Sequence, residues 1–241
     1  MTYYSQNGED AILHRLFPDH RGTFIEVGCI DGKRFSNTLF FEQRGWTGLC
    51  IEAHPDYIGL LRENRPGSAV VHAAVGESDV DSVDFFANSR GTLSSLEASR
   101  EAEFRARYGR YFTGFETVQV PMRTLSSLFD EHRIAHIDIL SVDIEGTEVR
   151  AIRGLDLKRH RPTVIVVECD RREHASELQT RLSAAGYRFL IAVSNNLFFT
   201  RDPAHLGHLA DLGRLAVELV HTQHPLDADG DSHESLEICF S

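Results

Sequence analysis

Apolar runs in this sequence end in acids, and the first of them breaks at once into a glycine turn. Phe24-Ile25-Glu26-Val27 leads into Gly28-Cys29-Ile30-Asp31-Gly32, and Gly48-Leu49-Cys50-Ile51 ends in Glu52. A strand, a turn that lets backbone approach a ligand, and a neighbouring strand whose terminal carboxylate accepts from ribose hydroxyls form the plan of a nucleotide-type cofactor site. The spacing narrows the choice. Glu26-x-Gly28-x-x-x-Gly32 departs from the G-x-G-x-x-G that cradles a pyrophosphate, and an acid beside the turn repels a phosphate but suits a cation. Glu52 closes an otherwise apolar run, where an acid is costly without a partner, and a ribose diol is the natural one. Further on, Ile137-Asp138-Ile139-Leu140-Ser141-Val142 ends in Asp143, with Glu145 and Glu148 close behind. Val164-Ile165-Val166-Val167 ends in Glu168, followed by Cys169 and Asp170. Carboxyl ends of strands in open α/β sheets converge on the ligand crevice, so Asp143 and Glu145 are expected there. Glu148 instead suits the first turn of a helix, where its charge complements the macrodipole.

Positioning these acids requires an α/β fold, because apolar runs alternate with helical patterns for most of the length. Strands are expected at 23–27, 48–52, 69–75, 137–143, 164–169 and 187–193. Ser36-Asn37-Thr38 are good capping types opening a helix with Leu39, Phe40 and Phe41 behind them. Pro55 begins the next helix, with Leu60 and Leu61 on its buried face. Asn195-Asn196 reads as a tight hairpin turn, making 197–200 an antiparallel last strand. Residues 76–124 break the rhythm: two short strands at 83–86 and 118–120 flank a polar stretch and a charged helix, an insertion that suits a substrate lid or, equally, a surface excursion. Residues 1–20 form an N-terminal lid and helix, with Asn7 as its cap. The acidic tail from 225 to 241 departs from a calcium loop, having Ile238 where the bidentate acid belongs. The whole chain, 1–241, reads as a single domain.

The bulk numbers exclude several classes. At 241 residues with 41% apolar and 25% charged content, the chain is an ordinary globular one. Its apolar runs fall short of the roughly 20 residues of a membrane span, and Met1–Gln6 lacks the basic and apolar regions of a secretory signal. Cys29, Cys50, Cys169 and Cys239 have no paired spacing, which suggests packed, reduced thiols in a cytoplasmic protein rather than a zinc site. A net charge of −11 argues against nucleic acid as partner. A small-molecule or glycan partner fits better, and nothing in the composition opposes a homo-oligomer.

Taken together, Ser5-Gln6-Asn7-Gly8-Glu9-Asp10, the Phe24–Gly32 turn, Ser36-Asn37-Thr38, Gly45-Trp46-Thr47-Gly48 leading to Glu52, and Val142-Asp143-Ile144-Glu145-Gly146 with Glu148 resemble the FkbM family of S-adenosylmethionine (SAM)-dependent methyltransferases. The likeness runs from about residue 3 to residue 200. It implies a class I methyltransferase fold, Rossmann-like: a mainly parallel seven-stranded sheet with an antiparallel last strand and helices on both faces. It also implies O-methylation of a hydroxyl on a sugar or natural-product intermediate. Carried over, Glu26, Gly28 and Gly32 would hold the methionine end of SAM and Glu52 the ribose. His72-Ala73-Ala74-Val75-Gly76 would flank the adenine through Ala74, and Asp143 and Glu145 would face the transferring methyl group. Gln6, Ser36 and Asn37 complete the implied cofactor contacts. Ala53 belongs to the adenosine rim, where Glu52-Ala53-His54-Pro55 departs from the family's frequent E-P-x-P.

Methyl transfer to a sugar hydroxyl needs a base or a metal, because the hydroxyl pKa is high. Glu145 or Asp143 is the expected catalytic base. A second route is a hard divalent ion such as Mg2+ held by Asp143 and by Glu168 or Asp170. His54 reads as a capping residue, Gln6 or Glu9 as contacts to cofactor or substrate from an N-terminal loop over the pocket, and Arg90 and Arg123 as cations available to an anionic substrate. The rivals are a nicotinamide-dependent oxidoreductase, disfavoured by the glycine spacing and the terminal hairpin, and a SAM-binding protein without catalysis.

Overall fold

Short runs of β-branched and aromatic residues, apolar on both faces, are what the central strands of a parallel sheet require. The computed structural model, which describes residues 2–220, places them so. In chain order the elements are α1 (Glu9–Leu16), β1 (Thr23–Val27), α2 (Leu39–Glu42), β2 (Thr47–Glu52), α3 (Ile58–Asn64), β3 (Ser68–His72), β4 (Ala74–Val75), β5 (Val80–Ala87) and α4 (Arg100–Tyr108). There follow β6 (Glu116–Arg123), α5 (Leu125–Glu131), β7 (Ile139–Val142), α6 (Glu148–Arg153), β8 (Val164–Glu168), α7 (Arg172–Ala184), β9 (Arg188–Val193), β10 (Asn196–Thr200) and α8 (Leu209–Val220).

Seven strands make one sheet in the order β3-β2-β1-β7-β8-β10-β9. Its pairings are parallel except those of β10, which runs antiparallel to both β8 and β9. That is the mainly parallel sheet with a reversed last strand that the resemblance implies, and a dehydrogenase sheet lacks the reversal. The strands alternate their side chains between two cores. Ile25, Val27, Leu140 and Ile165 pack under α5, α6 and α7, against Leu128, Ile152 and Leu182. Phe24, Cys50, Ile139 and Val166 pack on the other face with Ile12 and Leu13 of α1, Phe40 of α2, Leu61 of α3 and Leu212 of α8. Each fully buried side chain of this size contributes about 1.5–3 kcal/mol. Among the described residues, no helix is long and apolar enough to cross a membrane.

Several local expectations need correcting. The strand expected at 69–75 is two strands in two sheets. The carbonyl of Glu52, the last residue of β2, accepts from Ala73 N–H at 3.0 Å. β2 offers no partner beyond it, so the chain crosses over and Ala74 pairs with Met122 of β6. The smaller sheet, β4-β6-β5, has its own core around Phe85, Val120 and Met122. A 3-10 turn at Pro55–Tyr57 precedes α3, so Ile58 and Leu61 share its buried face and Leu60 is exposed. Asn7 does not cap α1; Gly8 occupies that position, and both the backbone and side-chain N–H of Asn7 donate to Glu9. The hairpin turn falls at Ser194 and Asn195, with Asn196 already in β10. The acidic tail and Cys239 lie outside the described residues.

Candidate active site

The loop after β1 is folded back by its glycines and held under strain. Gly28 has φ +86°, and a Cβ there would sit 1.7 Å from the Asp143 carbonyl oxygen. The turn after β1 and the end of β7 therefore pass in backbone contact, which no side chain permits. Gly32, φ +79°, packs as closely on α3: its Cβ would meet Leu61 and Arg65 at 2.6 Å. Between them Ile30 has φ +50°, an unusual conformation for a β-branched residue. Such strain persists only where neighbours over-determine it, and here Ile30 N–H donates to Glu52 Oε2 at 2.7 Å. Glu52 Oε1 accepts from His54 N–H at 2.6 Å. One buried carboxylate thus ties the loops after β1 and β2 together, and burial pushes it up to about 7 despite these bonds. Two oxygens have about four lone-pair sites, so Glu52 retains acceptor capacity for a ligand.

The second feature is a cluster of acids at the carboxyl ends of β7 and β8. Carboxylate oxygens of Asp143, Glu145 and Glu168 all lie within 4.8 Å of one another. Burial, then the Glu145 charge, pushes Asp143 up to about 8. Burial and Glu168 raise Glu145 well above the carboxylate range, and burial and Asp143 do the same to Glu168. Glu168 also accepts from Asn195 Nδ2. The nearest cation is committed elsewhere: Arg100 Nη2 is 2.6 Å from Asp170 and 3.9 Å from Glu145. Glu145 sits at φ +57° ahead of Gly146, and Glu148 clamps this turn by accepting from Ile144 N–H at 3.0 Å and Gly146 N–H at 2.9 Å. Glu148 is therefore more than a helix-end charge: it shapes the turn that presents Glu145.

Glu26 has a different company from the one expected. Its carboxylate accepts from Ser36 Oγ, from Asn37 N–H at 2.7 Å, from Thr38 Oγ1 at 2.7 Å and from Arg65 Nη1 at 2.8 Å. Arg65 is 0% exposed and also binds Glu42 at 2.7 Å. A buried acid with a buried guanidinium and three further donors is a closed structural unit. Ser36 and Asn37 serve it too: Ser36 Oγ accepts from Thr38 and Leu39 N–H, and Asn37 Nδ2 reaches Ser141 Oγ at 2.9 Å. Glu26 also meets Cys29 and Cys50, but these buried thiols are free and burial holds Cys29 protonated.

The remaining expected residues scatter around these two features. Ala53 borders Glu52 and its carbonyl accepts from His72, whereas Ala74 is buried in the core of the small sheet. Gln6 is exposed, beside Ser5, which bridges Phe35 of the glycine loop. His54 is a cap, as expected: its ring accepts from Asp56 N–H and contacts the Asn88 carbonyl. Asp170 pairs with Arg100 rather than joining the acid cluster, and Arg123 is occupied by Glu131 and Asp79. The insertion reaches both ends of the site. Gly91 packs on Ile30 and Tyr57, and Ser95 Oγ donates to the Glu145 carbonyl at 2.9 Å.

The Methyltransferase FkbM domain matches residues 25–189, well over half of the chain and all of both features just described. The chain belongs to the FkbM methyltransferase family. Membership brings SAM as methyl donor. No curated protein matches the sequence. Among solved structures, this FkbM methyltransferase is similar to Precorrin-6y C5,15-methyltransferase from Geobacter metallireducens GS-15, at 12% identity over 79% of this chain and 84% of that one, with a TM-score of 0.45. It is also similar to a TehB-like SAM-dependent methyltransferase from Corynebacterium glutamicum, at 11% identity over 81% and 88%, with a TM-score of 0.41. The class I fold is read from the FkbM methyltransferase's own strand order. Arg65 and Arg100, which decide which acids are compensated, are the residues sequence reasoning missed. The rule that a buried acid needs a partner, applied to Glu52, holds equally for Glu26 and is the signal that could have called for a cation such as Arg65.

Proposed function

We propose that the protein methylates a hydroxyl of a sugar or natural-product intermediate, with Glu145 or Asp143 accepting the hydroxyl proton. One observation carries this reading: three carboxyl groups within 4.8 Å at the ends of β7 and β8, with the nearest guanidinium spent on Asp170. When bound, SAM supplies an electrophilic methyl on a sulfonium centre. A neutral hydroxyl attacks such a centre poorly until its proton is taken. A carboxyl raised to about 8 is, once ionised, a far stronger proton acceptor than an ordinary carboxylate. Mutually repelling, half-buried acids also suit a site that receives a cation.

In this reading Glu52 holds the ribose, with Ala53 at the adenosine rim, while Gly28, Asp143 and Gln6 line the methionine end. Glu26, Gly32, Ser36 and Asn37 brace the turn from behind, and Ala74 supports the adenine side through the small sheet. The insertion, anchored at Ile30 and Glu145, is the lid that selects the acceptor. A second reading rests on the same spacing: Asp143, Glu145 and Glu168 offer oxygen ligands to a divalent ion such as Mg2+ that would bind a substrate diol. Asp170, neutralised by Arg100, drops out of that set.

The test is transfer from methyl-labelled SAM to a panel of sugar and polyketide alcohols, with and without EDTA. Label should enter a hydroxyl acceptor and vanish with Asp143→Asn and Glu145→Gln. Near wild-type turnover in both variants would overturn the base assignment. Undiminished turnover in excess EDTA would remove the metal.

A further inference from the structure

A cavity of about 350 Å³ opens at the amino ends of the strands, away from every residue assigned above. Its walls are the segment entering β7, the segment entering β8, and Arg201, which leaves antiparallel β10 at the same end. The acid cluster lies at the carboxyl ends, across a β7 of four residues, roughly 13 Å of strand. Volumes of this order are those of small-molecule sites.

Its charges do not cancel. Asp130 is the carboxylate in the lining, and it is used: Arg159 binds it at 2.6 Å and His160 lies 3.4 Å away. Arg159 Nε donates to His160 Nε2 at 3.1 Å, so that ring nitrogen is an acceptor, in keeping with burial lowering the His160 pKa. Arg161 and Arg201 are left without a carboxylate among the described residues. Both line the cavity, and Arg201 Nη1 donates to the main-chain carbonyl of Arg161 at 3.3 Å. In a chain of net charge −11, two guanidiniums without a carboxylate lining one cavity leave a local positive charge that suits an anion. Planar guanidinium forks match phosphate oxygens in pairs. Ile134 and Ile137 add an apolar wall, which suits a ligand with a carbon body beside its charge.

We propose that this cavity binds a small soluble phosphate ester or diphosphate, with the phosphate between Arg161 and Arg201 and the carbon body against Ile134 and Ile137. The site is independent of the methyl-transfer reading. The overall negative charge opposes an extended polyanion, and a concave pocket suits a discrete molecule better than a membrane surface.

Calorimetric titration with inorganic pyrophosphate tests it, on the wild type, on Arg161→Ala/Arg201→Ala and on Arg161→Lys/Arg201→Lys. Saturable wild-type binding at physiological salt is expected, weakened at least about tenfold by the alanine pair and measurably by the lysine pair, which keeps charge but loses the fork. Affinity for S-adenosylhomocysteine should stay unchanged in both. Both arginines are exposed, so folding should survive; were the alanine pair to lower Tm, the lysine pair would decide. Absent binding, equal affinity in wild type and variants, or capture by phosphatidylglycerol vesicles that pyrophosphate does not compete away would each overturn the proposal.

Discussion

Glu26 is a buried acid and the Asp143–Glu145–Glu168 cluster a partly buried one on the same sheet, and the protein treats them oppositely. Glu26 is compensated, with Arg65 at 2.8 Å and donors from Ser36, Asn37 and Thr38. The cluster is only weakly compensated: its nearest guanidinium, Arg100, binds Asp170 at 2.6 Å and reaches Glu145 at 3.9 Å, and its members push one another's pKa upward. A neutralised acid holds structure together, whereas unneutralised acids keep a free energy that a proton, a cation or a substrate hydroxyl can relieve. Acid content alone does not mark a site; an excess of acid over counter-charge does.

The largest effect should separate the two regions by activity. Asp143→Asn and Glu145→Gln are expected to cut methyl transfer by about 10²–10⁴-fold, the usual scale of general-base catalysis, with stability preserved in denaturant titrations. Arg65→Met should act the other way round. It strands Glu26 and Glu42, and loss of one partner from a buried pair costs about 3–5 kcal/mol, read as a lowered urea midpoint. Adding Glu26→Gln should restore part of that loss, whereas adding Asp143→Asn should restore none of it. A smaller effect is expected for Glu52→Gln, which keeps one acceptor but loses the charge. S-adenosylhomocysteine should bind it about tenfold more weakly by calorimetry, the scale of one hydrogen bond to a charged group.

Much of this was legible before any coordinates. The apolar runs set β1, β2, β7 and β8 within a residue or two, because a buried parallel strand tolerates little else. The reversed β10 followed from a turn between two such runs. Less legible was anything that depends on which distant residue meets which. Arg65 ends an unremarkable helix, and only the fold brings it under Glu26. Arg100 sits in a charged stretch whose helical pattern says nothing of Asp170. The partition of 69–75 between two sheets depends on where β2 stops and β6 begins, a matter of pairing rather than propensity. Asp143, Glu145 and Glu168 were singled out as acids at strand ends, but that they share one arginine, held more closely by Asp170, is a property of the assembled molecule.

The most direct measurement is unfolding free energy against pH for the wild type and Asp143→Asn. The Asp143 carboxyl is raised to about 8 in the folded protein, against an ordinary value of about 3.9 when unfolded. Its contribution is therefore fully present below the unfolded value and is lost as pH rises through about 8. Replacing it with Asn should leave the protein more stable than the wild type at pH 9, by more than about 1 kcal/mol, with the difference shrinking toward pH 5. Parallel profiles, or a variant less stable at pH 9 than at pH 5 relative to the wild type, would mean that the cluster's charge is compensated as fully as that of Glu26.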